Sequence, residues 1–194
     1  MLTVTGKGIE DLDRYVARLG DGANRAAVMA VNDTADWARV RIKRQMQSEV
    51  NLGETAFGKG KFGITRRANP ADLQAIVSAS RQPYSLSRFK TDTPEFGPKA
   101  GPVKVRIKAG GSTVTLKRAF YLRAPNGAVG IAVRSKQPLD NSRGARRVKG
   151  TDIYVLFGPS PDQLMRRLAP DSVPAVENYL NREFSRQIVR VING

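Results

Sequence analysis

Apolar positions recur first at helical spacing, then at strand spacing, then at helical spacing again. Met1–Thr5 alternates apolar and polar residues and predicts a short strand. Ile9, Leu12, Val16 and Leu19 then mark a first short helix that ends at Gly20, with Asp21-Gly22 as a turn. A longer helix is expected from Ala23 to Glu49. Its stripe is Ala27, Val31, Ala35, Ala38, Ile42, Met46 and Val50, with Trp37 near the middle. An alanine-rich stripe permits close approach of a neighbouring element but buries little area per residue. Residues 51–71, with Gly53, Phe57-Gly-Lys-Gly-Lys-Phe-Gly63 and Asn69-Pro70, read as irregular, mobile and basic.

Strand signals follow. Leu73–Ser80 has a β-branched centre, and Tyr84–Phe89 is a candidate second strand beyond a bend at Pro83. Thr91–Gly101, broken by Pro94 and Pro98, is a loop. Val103–Ile107 and Thr113–Leu116 alternate on either side of Ala109-Gly-Gly-Ser112, which predicts a hairpin. Ala119–Leu122, a Pro125-Asn-Gly127 turn, and Ala128–Val133 come next, then an exposed basic insertion over Lys136–Gly150 and a buried strand over Ile153–Phe157. A short helix is expected over Pro161–Leu168, capped by Ser160. A last helix from about Asp171 carries the stripe Val173, Val176, Leu180, Phe184, Ile188 and Val191. This order predicts an α+β fold: an antiparallel sheet with the long N-terminal helix and the C-terminal helix packed on it, and extended basic loops. The length suits one domain, with a helical part over 1–50, a β-rich basic part over 51–160 and C-terminal helices over 161–194.

Composition narrows the chemistry. Cysteine and histidine are both absent, which removes disulfides, thiolate metal sites, Ser-His-Asp triads and imidazole acid–base schemes. The start of the chain lacks the basic and apolar pattern of a secretory signal, and no apolar run is long enough to span a membrane. Net charge is +16, and its excess lies in the middle: residues 34–90 carry +7 and residues 91–150 carry +10. Such a field favours a polyanion or an acidic protein surface as partner, with simple solubilisation as the bland alternative.

Individual motifs offer little catalysis. Phe57–Gly63 lacks the spacing of a phosphate-binding loop. Asp92, Glu95 and Lys99 form the best local carboxylate cluster for a divalent metal, but in a proline-broken loop, where solvated surface groups are the default. Phe57, Phe62, Tyr84 and Phe89 interleave with cations as a stacking platform for single strands would, although the core is the commoner fate of an aromatic. Lys59, Lys61, Arg143, Arg146, Arg147 and Lys149 are the candidate contacts to DNA or to acidic partners, with solvated surface cations as the alternative. No catalytic residue, metal or cofactor is expected.

From Leu73 onward the chain resembles the minor tail protein Z (tail-completion) family of long-tailed phages. The resemblance runs through the block Leu73–Phe89, Val103–Ile107, Lys117-Arg-Ala-Phe120 and Val129-Gly-Ile-Ala-Val-Arg134. It ends with Leu156-Phe-Gly-Pro-Ser160 and Tyr179-Leu-Asn-Arg-Glu-Phe184. The alanine-rich helix before a basic linker also looks like that family's N-terminal half, while the basic stretch Pro138–Gly150 departs from it. The resemblance implies a non-enzymatic structural protein of the virion at the head-proximal neck of a phage tail, assembled in the host cytoplasm. It would complete the tail and make it competent for head–tail joining. It further implies tail terminator and other tail proteins as partners, a homo-oligomeric ring, hexameric by tail symmetry, and phage DNA passing non-specifically through the channel. The alternative reading is a non-specific DNA-binding protein that uses the basic central region.

Overall fold

A computed structural model describes residues 7–97, 101–139 and 144–193, with side chains described from residue 20 to residue 191. The strand expected at Met1–Thr5 lies outside the described residues. The fold is α+β, with a long helix at each end and antiparallel strands between them. Helix α1 spans Lys7–Glu49 and helix α2 spans Pro161–Asn193. Strands β1 (Phe62–Arg66) and β2 (Ile76–Ala79) pair in a two-stranded sheet, and β3 (Val103–Val105) and β4 (Val114–Leu116) form an antiparallel hairpin. Four further strands, β5 (Ala119–Arg123), β6 (Val129–Arg134), β7 (Ala145–Arg147) and β8 (Ile153–Leu156), form an antiparallel sheet in the order β5-β6-β8-β7.

Two compact units divide the chain. One is helical and comprises residues 1–41, 64–77 and 171–194; the other is β-rich and comprises residues 42–63 and 78–170.

In the helical unit, α1 runs unbroken through Gly20-Asp21-Gly22, where the sequence predicted a turn. A Cβ at Gly22 would lie 2.7 Å from Val191 Cγ1, so this glycine serves a close helix approach and not a chain reversal. Gly22, Ala26, Ala30, Thr34 and Ala38, spaced four apart, form a buried ridge of small residues. The expected stripe is therefore off by one position at its start, with Ala26 and Ala30 buried in place of Ala27 and Val31, and correct from Ala35 onward. Segment 64–77 is tied to this helix. Asn32 donates to the Ala68 carbonyl at 3.1 Å and accepts from the Ala68 amide at 2.9 Å, and Arg67 grips Asp36 with two bonds. The second half of the stretch expected to be mobile is thus ordered as β1 and a clamped turn.

Helix α2 also departs from expectation. It continues through Pro170 as one element where two helices were predicted. Proline removes one helical hydrogen bond, yet the flanking Leu168 and Ser172 are both buried. From residue 171 on, its buried side chains are Ser172, Glu183 and Gln187, while Val173 and Phe184 of the predicted apolar stripe are 49% and 39% exposed. Hydrogen bonding selects this face. Gln187 Nε2 donates to Asp33 Oδ2 at 3.0 Å and to Glu183 Oε1 at 2.9 Å, and Trp37 stacks on Tyr179 with ring centroids 4.6 Å apart.

The β-rich unit holds the larger apolar core. Phe89, Val103, Val105 and Ile131 are almost wholly buried, joined by Met46, Tyr84, Tyr121 and Leu164. The predicted hairpin is present, its ladder running Val103↔Leu116 to Val105↔Val114. So is the turn before β6, where Gly127 adopts φ 79° and donates its amide to Ala124 O at 2.8 Å. Tyr84–Phe89 is not a strand. Leu86–Phe89 is a short 3-10 turn flanked by single bridges, Ser85 to Phe157 and Lys90 to Val105. Packing decides this: the Phe89 ring lies so close to Gly158 that a Cβ there would sit 2.5 Å from Phe89 Cε2. The insertion expected over Lys136–Gly150 contributes β7, an edge strand of the four-stranded sheet. Ser160 caps α2 as expected: its Oγ accepts from the Gln163 amide at 3.1 Å while Gln163 Oε1 accepts from the Ser160 amide at 2.9 Å.

Candidate cationic interface

The two units treat their charges differently. In the helical unit, Arg67 pairs with Asp36 at 2.9 Å, Arg66 with Asp72 at 3.1 Å, and Arg186 with Glu183 and Asp33. The Arg186 guanidinium holds the Glu183 carboxyl down to about 2, with the Gln187 amide adding to the effect against burial. In the β-rich unit the acidic groups near the helix ends are likewise occupied: Lys43 binds Glu54 and Arg167 binds Glu49.

The cations of the hairpin and the four-stranded sheet have no such partners among the described residues. Lys104, Arg106, Lys108, Lys117, Arg118, Arg123, Arg134, Lys136, Arg146, Arg147 and Lys149 are all exposed, and none forms an ion pair with a described residue. Three of these arginines lie over aromatic rings of the same unit: Arg123 over Phe96 at 4.8 Å, Arg134 over Phe120 at 5.7 Å and Arg146 over Phe157 at 5.1 Å. A guanidinium resting on a ring keeps its N–H edge free, and its orientation is partly fixed before any anion arrives.

The structure separates the residues that the sequence grouped. Lys59 is exposed in the Gly58–Lys61 turn, where Gly60 adopts φ 77°. Lys61, half-buried, donates to Gln82 Oε1 at 2.6 Å. Arg146 and Arg147 are consecutive on β7 and so project to opposite sheet faces. Arg147 Nε donates to Thr151 O at 2.7 Å, within the turn that also carries exposed Lys149. Arg143 lies outside the described residues. Sequence reasoning passed over Arg134 and Arg123, because their stacking depends on strand register and on a distant loop.

Other sequence candidates fall into place as structure. Phe57, Phe62, Tyr84 and Phe89 are all buried, so they form core and not a stacking platform. Asp92 accepts hydrogen bonds from the Tyr121 hydroxyl and the Lys104 amide. Burial opposes its ionisation, but these donors outweigh burial and hold the carboxyl below its ordinary range. Burial, then the bond to Asp92, pushes the Tyr121 phenol well up. Glu95 is exposed, and Lys99 lies outside the described residues. Among the described residues no three acidic side chains gather as metal ligands would, and no helix is long and apolar enough to cross a membrane.

Comparison with known proteins finds no matching family model, curated protein or solved structure.

Proposed function

We propose that this chain is a structural protein of a phage virion, acting at the head-proximal end of the tail. There it completes the tail and makes it competent to join the head. One observation supports this reading more than any other: eleven exposed cations between residues 104 and 149 have no carboxylate partner among the described residues, whereas Arg66, Arg67 and Arg186 of the helical unit are paired internally. Cations on a sheet without carboxylate partners suit contact with an acidic neighbour or with packaged genome. In this proposal the partners are the tail terminator and other neck proteins, the subunits form a ring of six, and DNA passes non-specifically.

The direct test is genetic and structural together. Particles assembled without this chain should accumulate as separate heads and tails, and electron cryomicroscopy of complete particles should place its density at the neck. Infectious particles of normal yield in its absence would refute the role. The same cations also favour a second reading, a free-standing DNA-binding protein. That reading requires duplex affinity whose logarithm falls linearly and steeply with the logarithm of salt concentration. Absence of retention on duplex at low salt removes it.

A further inference from the structure

The two faces of the four-stranded sheet differ in kind. Strand register places Ala119, Tyr121, Ile131, Ala145 and Tyr154 on one face, and all five are buried. On the opposite face the register aligns Phe120, Ala132, Val155 and Arg146 in one row across all four strands. Only Ala132 of that row is buried; Phe120 and Val155 are half-buried and Arg146 is exposed. Arg134, two residues beyond Ala132, projects from the same face, as does Phe157, two beyond Val155.

The result is a near-symmetric arrangement. Each outer pair of strands carries one diagonal arginine–phenylalanine pair, Arg134 on Phe120 and Arg146 on Phe157, with Ala132 and Val155 as an apolar floor between them. Two strand spacings and two residue rises put the arginine positions roughly 12 Å apart. Neither guanidinium has a carboxylate partner among the described residues.

We infer that this face docks an apolar, carboxylate-bearing segment of another protein, with Arg134 and Arg146 as its ionic anchors and Val155 in the floor. Charge complementarity selects the occupant. A second copy facing this one would bring arginine against arginine, and like charges across an interface are costly. Single-stranded nucleic acid needs open rings for base stacking, and here each ring already carries a guanidinium. Duplex backbone matches the arginines but leaves the apolar floor uncovered, whereas protein interfaces combine aromatic and arginine anchors with an apolar centre. The inference rests on reading the β-rich unit as an assembly surface, but its test involves no virion, so either can fail alone.

The experiment uses the full chain and three probes. They are a helical peptide of about 16 residues with a leucine face and two glutamates about two turns apart, a polyglutamate of equal charge, and duplex DNA. Saturable binding of the helical peptide is expected, weakened about tenfold or more by the R134Q/R146Q double substitution. It should also weaken about threefold with V155T, which keeps the side-chain shape while adding a hydroxyl. Unchanged thermal midpoints of these variants establish that the fold is kept. Four results would overturn the inference: no saturable peptide binding, equal binding of polyglutamate, loss of duplex affinity by the same factor in the double variant, or self-association that the double variant abolishes.

Discussion

In the helical unit Arg67 is bound to Asp36 and Arg186 to Asp33 and Glu183, whereas in the β-rich unit Arg106, Arg118, Arg134 and Arg146 find no carboxylate among the described residues. The cores differ in the opposite sense. The helical unit buries alanines and a polar seam of Thr34, Ser172, Glu183 and Gln187; the β-rich unit buries Phe89, Met46, Val103, Val105 and Ile131. A small-residue seam supplies little hydrophobic free energy, so hydrogen bonds and internal ion pairs must specify how its helices meet. A core of large side chains carries its own stability and leaves the surface charges available for something else. Charge at Asp33, Asp36, Arg67, Glu183 and Arg186 is therefore structural, whereas charge on the four-stranded sheet is presented outward.

This contrast predicts different vulnerabilities. The largest effect belongs to Phe89, which is wholly buried and packed on Gly158. Phe89→Ala should cost about 3–5 kcal/mol, read as a lowered urea midpoint for the β-rich unit. A cost below about 1 kcal/mol would mean that this core does not depend on the ring.

Next comes the polar seam. Glu183 is held at about 2 in the folded chain against an ordinary 4.5. Its folded value is depressed, so its contribution is complete above pH 4.5, fades as pH falls, and is gone below about 2. Glu183→Gln should destabilise the helical unit at neutral pH by about 1–3 kcal/mol, discounted because Arg186 is largely solvated. The gap between parent and variant should close as pH falls through that window. A gap that stays constant down to pH 2 would show that ionisation of Glu183 is not what the seam uses.

The same contrast explains what was legible in the sequence. Strands β3 to β6 and β8 could be read because their alternation is local and their turns, Gly110-Gly111 and Asn126-Gly127, lie between the runs. The Ser160 cap was readable for the same reason. Gly20-Asp21-Gly22 and Pro170 carry equally local stop signals, yet tertiary packing overrides both. The α2 stripe misled at Val173 and Phe184, with its other members half-buried, because apolar spacing says nothing about a seam whose partners, Asp33 and Gln187, are 154 residues apart. Arg146 was picked from a basic run, but its stacking on Phe157 and the shared face with Arg134 come from register across four strands, which no single segment encodes.

A smaller effect tests the continuous α1. Nothing lies within 4 Å of a Cβ built at Gly20, so Gly20→Ala should stabilise the helical unit by about 0.5–1 kcal/mol through helix propensity. At Gly22 the added methyl meets Val191 Cγ1 at 2.7 Å, and the gain should be reduced or reversed. Thermal melts of the two variants side by side decide the matter. Equal shifts, or a loss at Gly20, would favour the turn that the sequence alone suggested.

The smallest expected effect is the most informative about surface charge. Arg146 is exposed, sits on an edge strand and lies over the Phe157 ring. Arg146→Gln should therefore shift stability by no more than about 0.5 kcal/mol, the scale of one exposed cation–π contact. Removing a cation from a surface with a large positive excess also relieves repulsion, so the sign can turn favourable at low salt. If the variant instead loses well over 1 kcal/mol, Arg146 is a structural residue like Arg67, and the division between internally paired and outward-facing charge fails at its clearest example.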